Sequence, residues 1–476
     1  METTLDQQLE SKMDSTSADQ LNVAGRLERL PLSRFHLFAC SIIGAAMFFD
    51  GYDLALTGLV MPSLVKVGIL TESGRASLVS LSILAAALGS ALGGAIGDRY
   101  GRRRLFIANI AIFGIASPLC GVVQDHTAFL MLRMLALLTL GMQIPTGYSY
   151  LSELTPKSSR GRLQSVIALL VNGSLPTGAL VAWLVMPNFP ADEGWRVLCL
   201  LSALVLPLVF VPRSTLPESP RWLASVGRLI EADLRTTEIE KGLLRKGITL
   251  PVPNVLPLPI PDLGWAGLLS NDIRRRFGLA VLFQVCHLSA VSLFAAWLPT
   301  ILVAQGLDAG SAFAISAISF AGGMLGPTMA IFLSDRFERR RLLVGASFFG
   351  SALGFVYPLQ SAPIWLMSVG LLLTTTMFFI SATGFAIYLP EILPTGIRLR
   401  GMGSAMLVGR LSSALTPFAV ASGLTRFGNP LLVVTGVGLL YALLALAFAF
   451  MGPNTRGRSL ETLEHSGFAT QQDSNT

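Results

Sequence analysis

The sequence predicts an all-α membrane protein of twelve transmembrane helices, built as two pseudo-symmetric six-helix halves. Three observations predict it. Of 476 residues, 52% are hydrophobic and only 13% charged, with a mean hydropathy of +0.63, whereas a soluble domain carries about 25% charged residues. The apolar residues fall into runs of about 20, long enough to cross a hydrocarbon core about 30 Å thick. Finally, the chain repeats itself: Tyr-Leu-x-Glu-x-x-Pro-x-x-x-Arg-x-Arg begins at Tyr150 and again at Tyr388 (388 − 150 = 238), and Asp98 followed by Arg102 and Arg103 returns as Asp335 followed by Arg339 and Arg340 (335 − 98 = 237).

The runs lie near 36–60, 77–97, 104–123, 127–149, 163–186 and 196–212, then 277–302, 312–333, 342–358, 363–388, 402–423 and 430–451; they are helices 1 to 12 below. The chain divides into a tail (1–35), a first half (36–213), a central connector (214–275), a second half (276–451) and a second tail (452–476). The connector predicts one amphipathic helix near 219–245, then an irregular tether, because the prolines between Leu250 and Asp262 forbid a continuous helix. The first 34 residues are polar, without the pattern of a cleavable signal. They and the segment after Gly452 are expected to be disordered or interfacial.

The net charge of +7 is not a nucleic-acid footprint, because its distribution alternates. Arg102 to Arg104, Lys157 with Arg160 and Arg162, Arg274 to Arg276, Arg339 to Arg341, and Arg398 with Arg400 occupy alternate loops. Short basic loops stay cytoplasmic, which places both tails and the connector inside. Cys40, Cys120, Cys199 and Cys286 lie in apolar runs without metal-ligand or redox spacing and read as small core residues. No cofactor and no metal is expected. The absence of a phosphate-binding G-x-x-x-x-G-K-[ST] loop disfavours primary pumping, and the absence of a nucleophile–base pair disfavours an enzyme. Two like halves in a membrane suit a carrier that rocks about a central site.

Several motifs together resemble the major facilitator superfamily across essentially the whole chain. Gly93-Gly94-Ala-Ile-Gly97-Asp98-Arg99-Tyr100-Gly101-Arg102-Arg103-Arg104 is similar to its loop between helices 2 and 3. Pro217-Glu218-Ser219-Pro220-Arg221 and Pro453-Asn454-Thr455-Arg456-Gly457 resemble connector and tail motifs of its sugar and metabolite porters, with Asn454 where that pattern has Glu. Phe49-Asp50-Gly51-Tyr52-Asp53 resembles the helix-1 motif of aromatic acid:proton and nicotinate-type symporters. The resemblance implies a cytoplasmic latch made by Gly97, Asp98, Arg102 and Arg103 with Glu153, Arg160, Asp335, Arg339, Glu391 and Arg398. Independently, Gly89, Gly93 and Gly97 recur every four residues and let a neighbouring helix approach, and Asp98 can accept hydrogen bonds from a helix N-terminus or pair with the following arginines. Ser334 and Glu338 replace glycines in the second copy, which predicts a weaker or differently paired latch there. Helix 4 has Leu137 and Thr139 where the family has glycines, leaving its packing in doubt.

Ionisable groups at membrane depth need partners or a function. Asp50 and Asp53 share a helix face and are expected to carry the coupled proton, with Asp53→Asn abolishing gradient-driven accumulation but sparing exchange; the plain alternative is a structural pair with a cation such as Arg133. Shifting Asp50 by 237 reaches His287, and shifting Asn172 by 238 reaches Arg410. These four are expected to face one cavity. Arg410, in a Gly-Arg-x-Ser-Ser context similar to a helix-11 arginine of the aromatic acid porters, suits a carboxylate, with Gln284, Asn172, Tyr52 and Gln143 as further binding candidates. His287 reads as a proton relay or a buried neutral histidine. Trp297, Phe378 and Phe379 are weaker candidates for cavity walls. The expected activity is proton-coupled uptake of a small organic anion, favouring an aromatic or heteroaromatic monocarboxylate, by a monomer in the cytoplasmic membrane. A sugar or polyol:proton symporter is the main alternative, with a drug:proton antiporter or a transporter-like sensor behind it.

Overall fold

The structure is a computed structural model that describes residues 22–465 apart from 70–71, 191–192 and 427–428. Among the described residues it contains helices and no strands. Twelve helices are long and apolar enough to cross a membrane: Arg34–Lys66, Leu78–Tyr100, Arg102–Cys120, His126–Leu154, Arg160–Asn188, Gly194–Val211, Ile273–Ala296, Ala309–Leu333, Arg339–Leu359, Pro363–Ile392, Thr395–Arg426 and Pro430–Met451. They match the twelve apolar runs in order. Several extend past them at the face that carries the connector, where helix 4 continues to Leu154 and helix 5 begins at Arg160. Those ends carry buried charges held by ion pairs, which hydropathy alone reads as loop. Helix 7 stops earlier than its apolar run. A π-helical stretch, Ser292–Ala296, ends at Trp297, and a separate helix, Leu298–Ala304, follows. Pro299 cannot continue the ladder, because it lacks an N–H and its ring crowds the preceding turn.

Within the first half, helix 1 packs on helices 5 and 6, and helix 4 on helices 2 and 3; in the second, helix 7 packs on 11 and 12, 8 on 10, and 9 on 12. The halves meet where helix 2 packs on helix 11 and helix 5 on helix 8. Small residues make these approaches possible. A Cβ on Gly89 would lie 2.0 Å from the Leu138 carbonyl oxygen, and one on Gly141 would lie 2.1 Å from that of Ala86, so helices 2 and 4 touch backbone to backbone despite Leu137 and Thr139. Across the halves, a Cβ on Gly94 would lie 2.5 Å from the Leu399 oxygen, and one on Gly403 would lie 2.0 Å from that of Ser90. Tyr148 and Phe385 pack edge to face between helices 4 and 10, centroids 5.6 Å apart.

The connector and tails differ from expectation. The single connector helix is two, Pro220–Ser225 and Leu229–Leu244, parted at Gly227, whose φ of +78° suits a glycine that ends a helix. Residues 250–262 form no regular element. The expected disorder near the ends does not extend to 22–33 or 452–465. Val23–Glu28 is a helix whose Val23 and Leu27 pack against Trp222, Leu223 and Ile239 of the connector. Leu460–His465 is also helical, with Leu460 and Leu463 buried. The rest of both tails, residues 1–21 and 466–476, lies outside the described residues. All four cysteines are buried and free of disulfides.

Candidate functional site

Two groups of buried charges stand out, one at mid-bundle and one at the connector face. At mid-bundle the two repeat pairs occupy matching depths. Asp50 lies 16 residues into Arg34–Lys66 and His287 lies 16 into Asn271–Val291 (50 − 34; 287 − 271). Asn172 lies 12 residues into Arg160–Val185 and Arg410 lies 12 into Arg398–Ser413 (172 − 160; 410 − 398). At 1.5 Å per residue these are about 24 Å and about 18 Å from the connector-face ends of the helices.

The two helix-1 acids have different surroundings. Asp53 is wholly buried and its Oδ1 accepts from Arg133 of helix 4 at 2.8 Å and from the Ser117 hydroxyl of helix 3. Arg133 also donates to the Asp53 carbonyl at 2.6 Å and to the Thr57 hydroxyl. Asp50 is buried, has no cation or hydrogen-bond donor among the described residues, and leaves its Oδ2 without a partner. A carboxyl in such a place needs a partner or a function.

Arg410 is half-buried in helix 11. Among the described residues it has no acidic partner, and its Nε is buried without an acceptor. It occupies the last turn of Arg398–Ser413, before the break that precedes Pro417. The negative end of the helix dipole there gives the guanidinium partial support. Of the other candidates, Gln143 is buried with its Oε1 unpartnered. It stands one turn from Gly147, which packs on Met47 and Ile43 of helix 1. Asn172 donates to the Ala168 carbonyl at 2.7 Å. His287 bonds the Tyr441 hydroxyl through Nδ1 at 3.2 Å and stacks on Phe283. Gln284 is buried, and its backbone carbonyl packs on Gly409 of helix 11. Tyr52 is buried and its hydroxyl donates to the Leu198 carbonyl of helix 6 at 3.1 Å. Phe379 is buried against Ala168, Ala330 and Ala382, a packing position rather than a wall.

At the connector face the expected latch residues come together as two related clusters. Asp98, at the end of helix 2, accepts from the Leu399 and Arg400 N–H groups at 3.3 and 2.9 Å, in the first turn of Arg398–Ser413. Asp335, at the end of helix 8, accepts from Gly161 and Arg162 N–H at 3.0 and 2.8 Å, at the start of helix 5. Each acid therefore caps the helix of the opposite half, where the helix dipole favours an anion. Arg102 binds Asp98 at 2.9 Å, Glu153 at 3.1 Å and the Gly97 carbonyl at 2.9 Å; Arg398 binds Glu153 at 2.9 Å. In the second cluster Arg339 reaches Asp335 at 3.0 Å and Glu391 at 3.3 Å, but Arg160 lies 3.8 Å from Glu391. This copy is looser and wetter: Asp335 is 17% exposed and Asp98 0%. With both clusters made, the bundle is closed at the connector face.

Further residues join this face, some of them from the connector motif that begins at Pro217. The Arg103 N–H donates to Glu218 of the connector at 3.0 Å. Arg221 joins the halves by binding Glu461 of the tail at 2.8 Å and the Glu153 carbonyl at 2.9 Å. The Trp222 indole donates to the Asp98 carbonyl at 2.8 Å. Glu28 bridges Arg160 and Arg221, and Glu464 accepts from Thr395 N–H at 2.7 Å. A repeat signal existed: Tyr150 donates to the Pro217 carbonyl and Tyr388 to that of Pro453, so the connector and tail motifs are themselves duplicate parts. They exchange one acid. Glu218 fills the space beside Gly101 in the first copy, whereas in the second Glu338 replaces that glycine and accepts from Thr455 N–H at 2.9 Å, beside Asn454.

Known proteins agree with this architecture. A family model described as sugar (and other) transporter matches residues 38–466. An inner membrane metabolite transport protein of Escherichia coli is 30% identical over 448 residues, covering 93% of this chain and 98% of that protein. A niacin transporter of Acinetobacter baylyi is 28% identical over 456 residues, covering 93% and 100%. Among solved structures, a proton:xylose symporter of the major facilitator superfamily bound to 6-bromo-6-deoxy-D-glucose superposes with a TM-score of 0.73 at 20% identity, covering 90% of this chain and 98% of the other. The family match spans nearly all of the bundle, and the chain belongs to the sugar (and other) transporters, a family of carriers rather than enzymes, with the fold of the major facilitator superfamily.

Proposed function

We propose that this transporter takes up a small aromatic or heteroaromatic monocarboxylate together with a proton, by alternating access. Arg410 carries the reading: a half-buried guanidinium near mid-bundle without an acidic partner among the described residues is suited to meet an anion, and it binds carboxylate in a two-point fork. Asp50 is the proton carrier, since it is buried without a counter-charge, while Asp53 is already engaged by Arg133 and holds helices 1, 3 and 4 together. The similarity to a niacin transporter supports a ring-bearing carboxylate. Gln143, Gln284 and Asn172 supply polar wall groups, and His287 with Tyr441 a neutral hydrogen-bonded pair. Both tails and the connector face the cytoplasm, the side of the basic loops, and a single chain holding both halves is the working unit.

Proteoliposomes with an acidic exterior test this. Labelled nicotinate and hydroxybenzoates should accumulate and xylose should not. Arg410→Ala should abolish uptake and Arg410→Lys should raise KM. Asp50→Asn should remove gradient-driven accumulation while exchange of labelled for unlabelled acid continues. Accumulation of sugar instead of acid, or normal transport by both Arg410 variants, would overturn the reading.

A further inference from the structure

A cavity of about 740 Å³ opens at the connector face, between the starts of helices 1 and 3, the end of helix 6 and the connector helix Leu229–Leu244. It lies beside the latch, with Arg103 on its wall. Arg34, Arg103, Arg235 and Lys246 line it with a single acid, Glu238, which already binds Arg235 at 3.0 Å. Arg34 and Lys246 have no acidic partner among the described residues. Apart from Thr215 and Gly242 the remaining wall is apolar, including Leu216 and Ile239. Phe38 belongs both to this wall and to the outer surface: it is 40% exposed, next to Leu37 at 50%, near the start of helix 1.

From this juxtaposition we propose a binding site for an acidic phospholipid, whose phosphate-bearing headgroup enters among Arg34, Arg235 and Lys246 while its acyl chains lie along Phe38 and Leu37. Three physical points support it. Arg34 sits at the start of a membrane helix, and Arg235 and Lys246 reach the same cavity from the connector helix and its end, so the three cations gather where an anionic leaflet attracts basic residues. The cavity is roofed by the connector helix, which is fastened to the N-terminal segment by the Arg26–Glu240 pair at 2.6 Å and the Arg29–Glu240 pair at 2.6 Å. Its mouth is bordered by exposed apolar side chains, which a soluble phosphate ester would not need. A bound lipid would therefore pin the connector to the first half and leave the second half free to move. Only the choice of leaflet rests on the orientation proposed above.

Native mass spectrometry of the purified full chain tests the site, with phosphatidylglycerol or phosphatidylcholine added as the probe. Wild type should retain phosphatidylglycerol at least ten-fold better than phosphatidylcholine. The Arg34→Gln/Lys246→Gln double variant should lose that preference, while Arg245→Gln, a neighbouring cation outside the cavity, should keep it. The altered side chains are exposed, and an unchanged melting temperature without lipid confirms that the fold survives. Equal retention of the two lipids by wild type, or undiminished preference in the double variant, overturns the proposal. Inorganic phosphate separates the two sources of this chemistry: displacement of the lipid by millimolar phosphate would assign the cavity to a soluble phosphate and refute the lipid reading.

Discussion

Asp98→Asn keeps volume and removes one charge from the tighter of the two clusters. In the closed connector face, Asp98 accepts the Leu399 and Arg400 N–H groups and pairs with Arg102, all out of contact with water. A hydrogen bond to a charged group contributes about 1.5–3 kcal/mol, and leaving a buried donor unmet costs a similar amount. The Asn oxygen can keep one N–H bond, its amide group then faces the other donor, and Arg102 retains Glu153. The closed state should lose about 2 kcal/mol relative to the open one, where the acid is hydrated, a population shift of roughly 30-fold. Asp335→Asn removes the same contacts at a site 17% exposed, where water replaces part of what is lost, so about 1 kcal/mol and roughly five-fold are expected. Spin labels at Lys66→Cys and Gln305→Cys, on the opposite face, would report the change by double electron–electron resonance as growth of the short-distance population. An equal or larger shift from Asp335→Asn, or none from Asp98→Asn, would refute the claim that buried capping of helix 11 holds this face shut.

The other predictions follow from the same contacts. Gly403→Ala puts a methyl 2.0 Å from the Ser90 carbonyl across the halves, whereas Gly409→Ala meets Gln284 at 2.7 Å within the second half; the first should shift the spin-label distances with little change in melting, and the second should lower the melting temperature without that shift. Burial alone would raise the Glu28 pKa, but Arg221 and Arg160, with the Lys157 N–H, hold it below its ordinary value. A depressed carboxylate contributes stability above its unfolded pKa and loses it as pH falls through the folded one. Hydrogen exchange over Val23–Glu28, corrected for intrinsic rates, should therefore be steady from about pH 7 to 5 and rise below about 4, while Glu28→Gln should show faster exchange with no such step. Exchanging the acids of the second copy, Glu338→Gly with Asn454→Glu, should restore the stability that Glu338→Gly alone removes, read as melting temperature.

How much was legible depended on whether a residue's partner could be anticipated from its own position. Twelve helices were readable because a span needs only a long apolar run. The charge clusters at the connector face were readable from the family resemblance, and the repeat marks the same residues twice. That Asp53 would meet Arg133 followed from the cost of an unpaired charge in a membrane, but nothing in the sequence told Asp53 from Asp50: three residues apart, one reaches Ser117 and Arg133 and the other reaches neither. The assembly of connector and tails was hidden for a different reason. Its bonds join residues more than 200 positions apart, such as Arg221 with Glu461 and Arg26 with Glu240, and its short helices are too polar to stand out from loop. Nor could the sequence show that the Tyr52 hydroxyl serves a carbonyl of helix 6.

The duplication also separates two kinds of work. At the connector face the copies agree: Asp98 and Asp335 each cap a helix of the other half, and Glu153 and Glu391 each stand between arginines. Closing two similar bodies against each other calls for the same fastening on both sides, and even the exchanged acid, buried at Glu218 and half-buried at Glu338, preserves a carboxylate accepting N–H groups in each copy. At mid-bundle the copies disagree at equal depth, Asp50 against His287 and Asn172 against Arg410. Symmetric charges would bind a symmetric ligand or repel each other. An acid able to hold a proton in one half and a fixed cation in the other suit a solute with one anionic end. The divergence, more than the shared frame, is where we place substrate recognition, and transplanting it is a direct check: Asn172→Arg with Arg410→Asn should move the anion site to the first half and preserve acid uptake only if the two positions face one cavity.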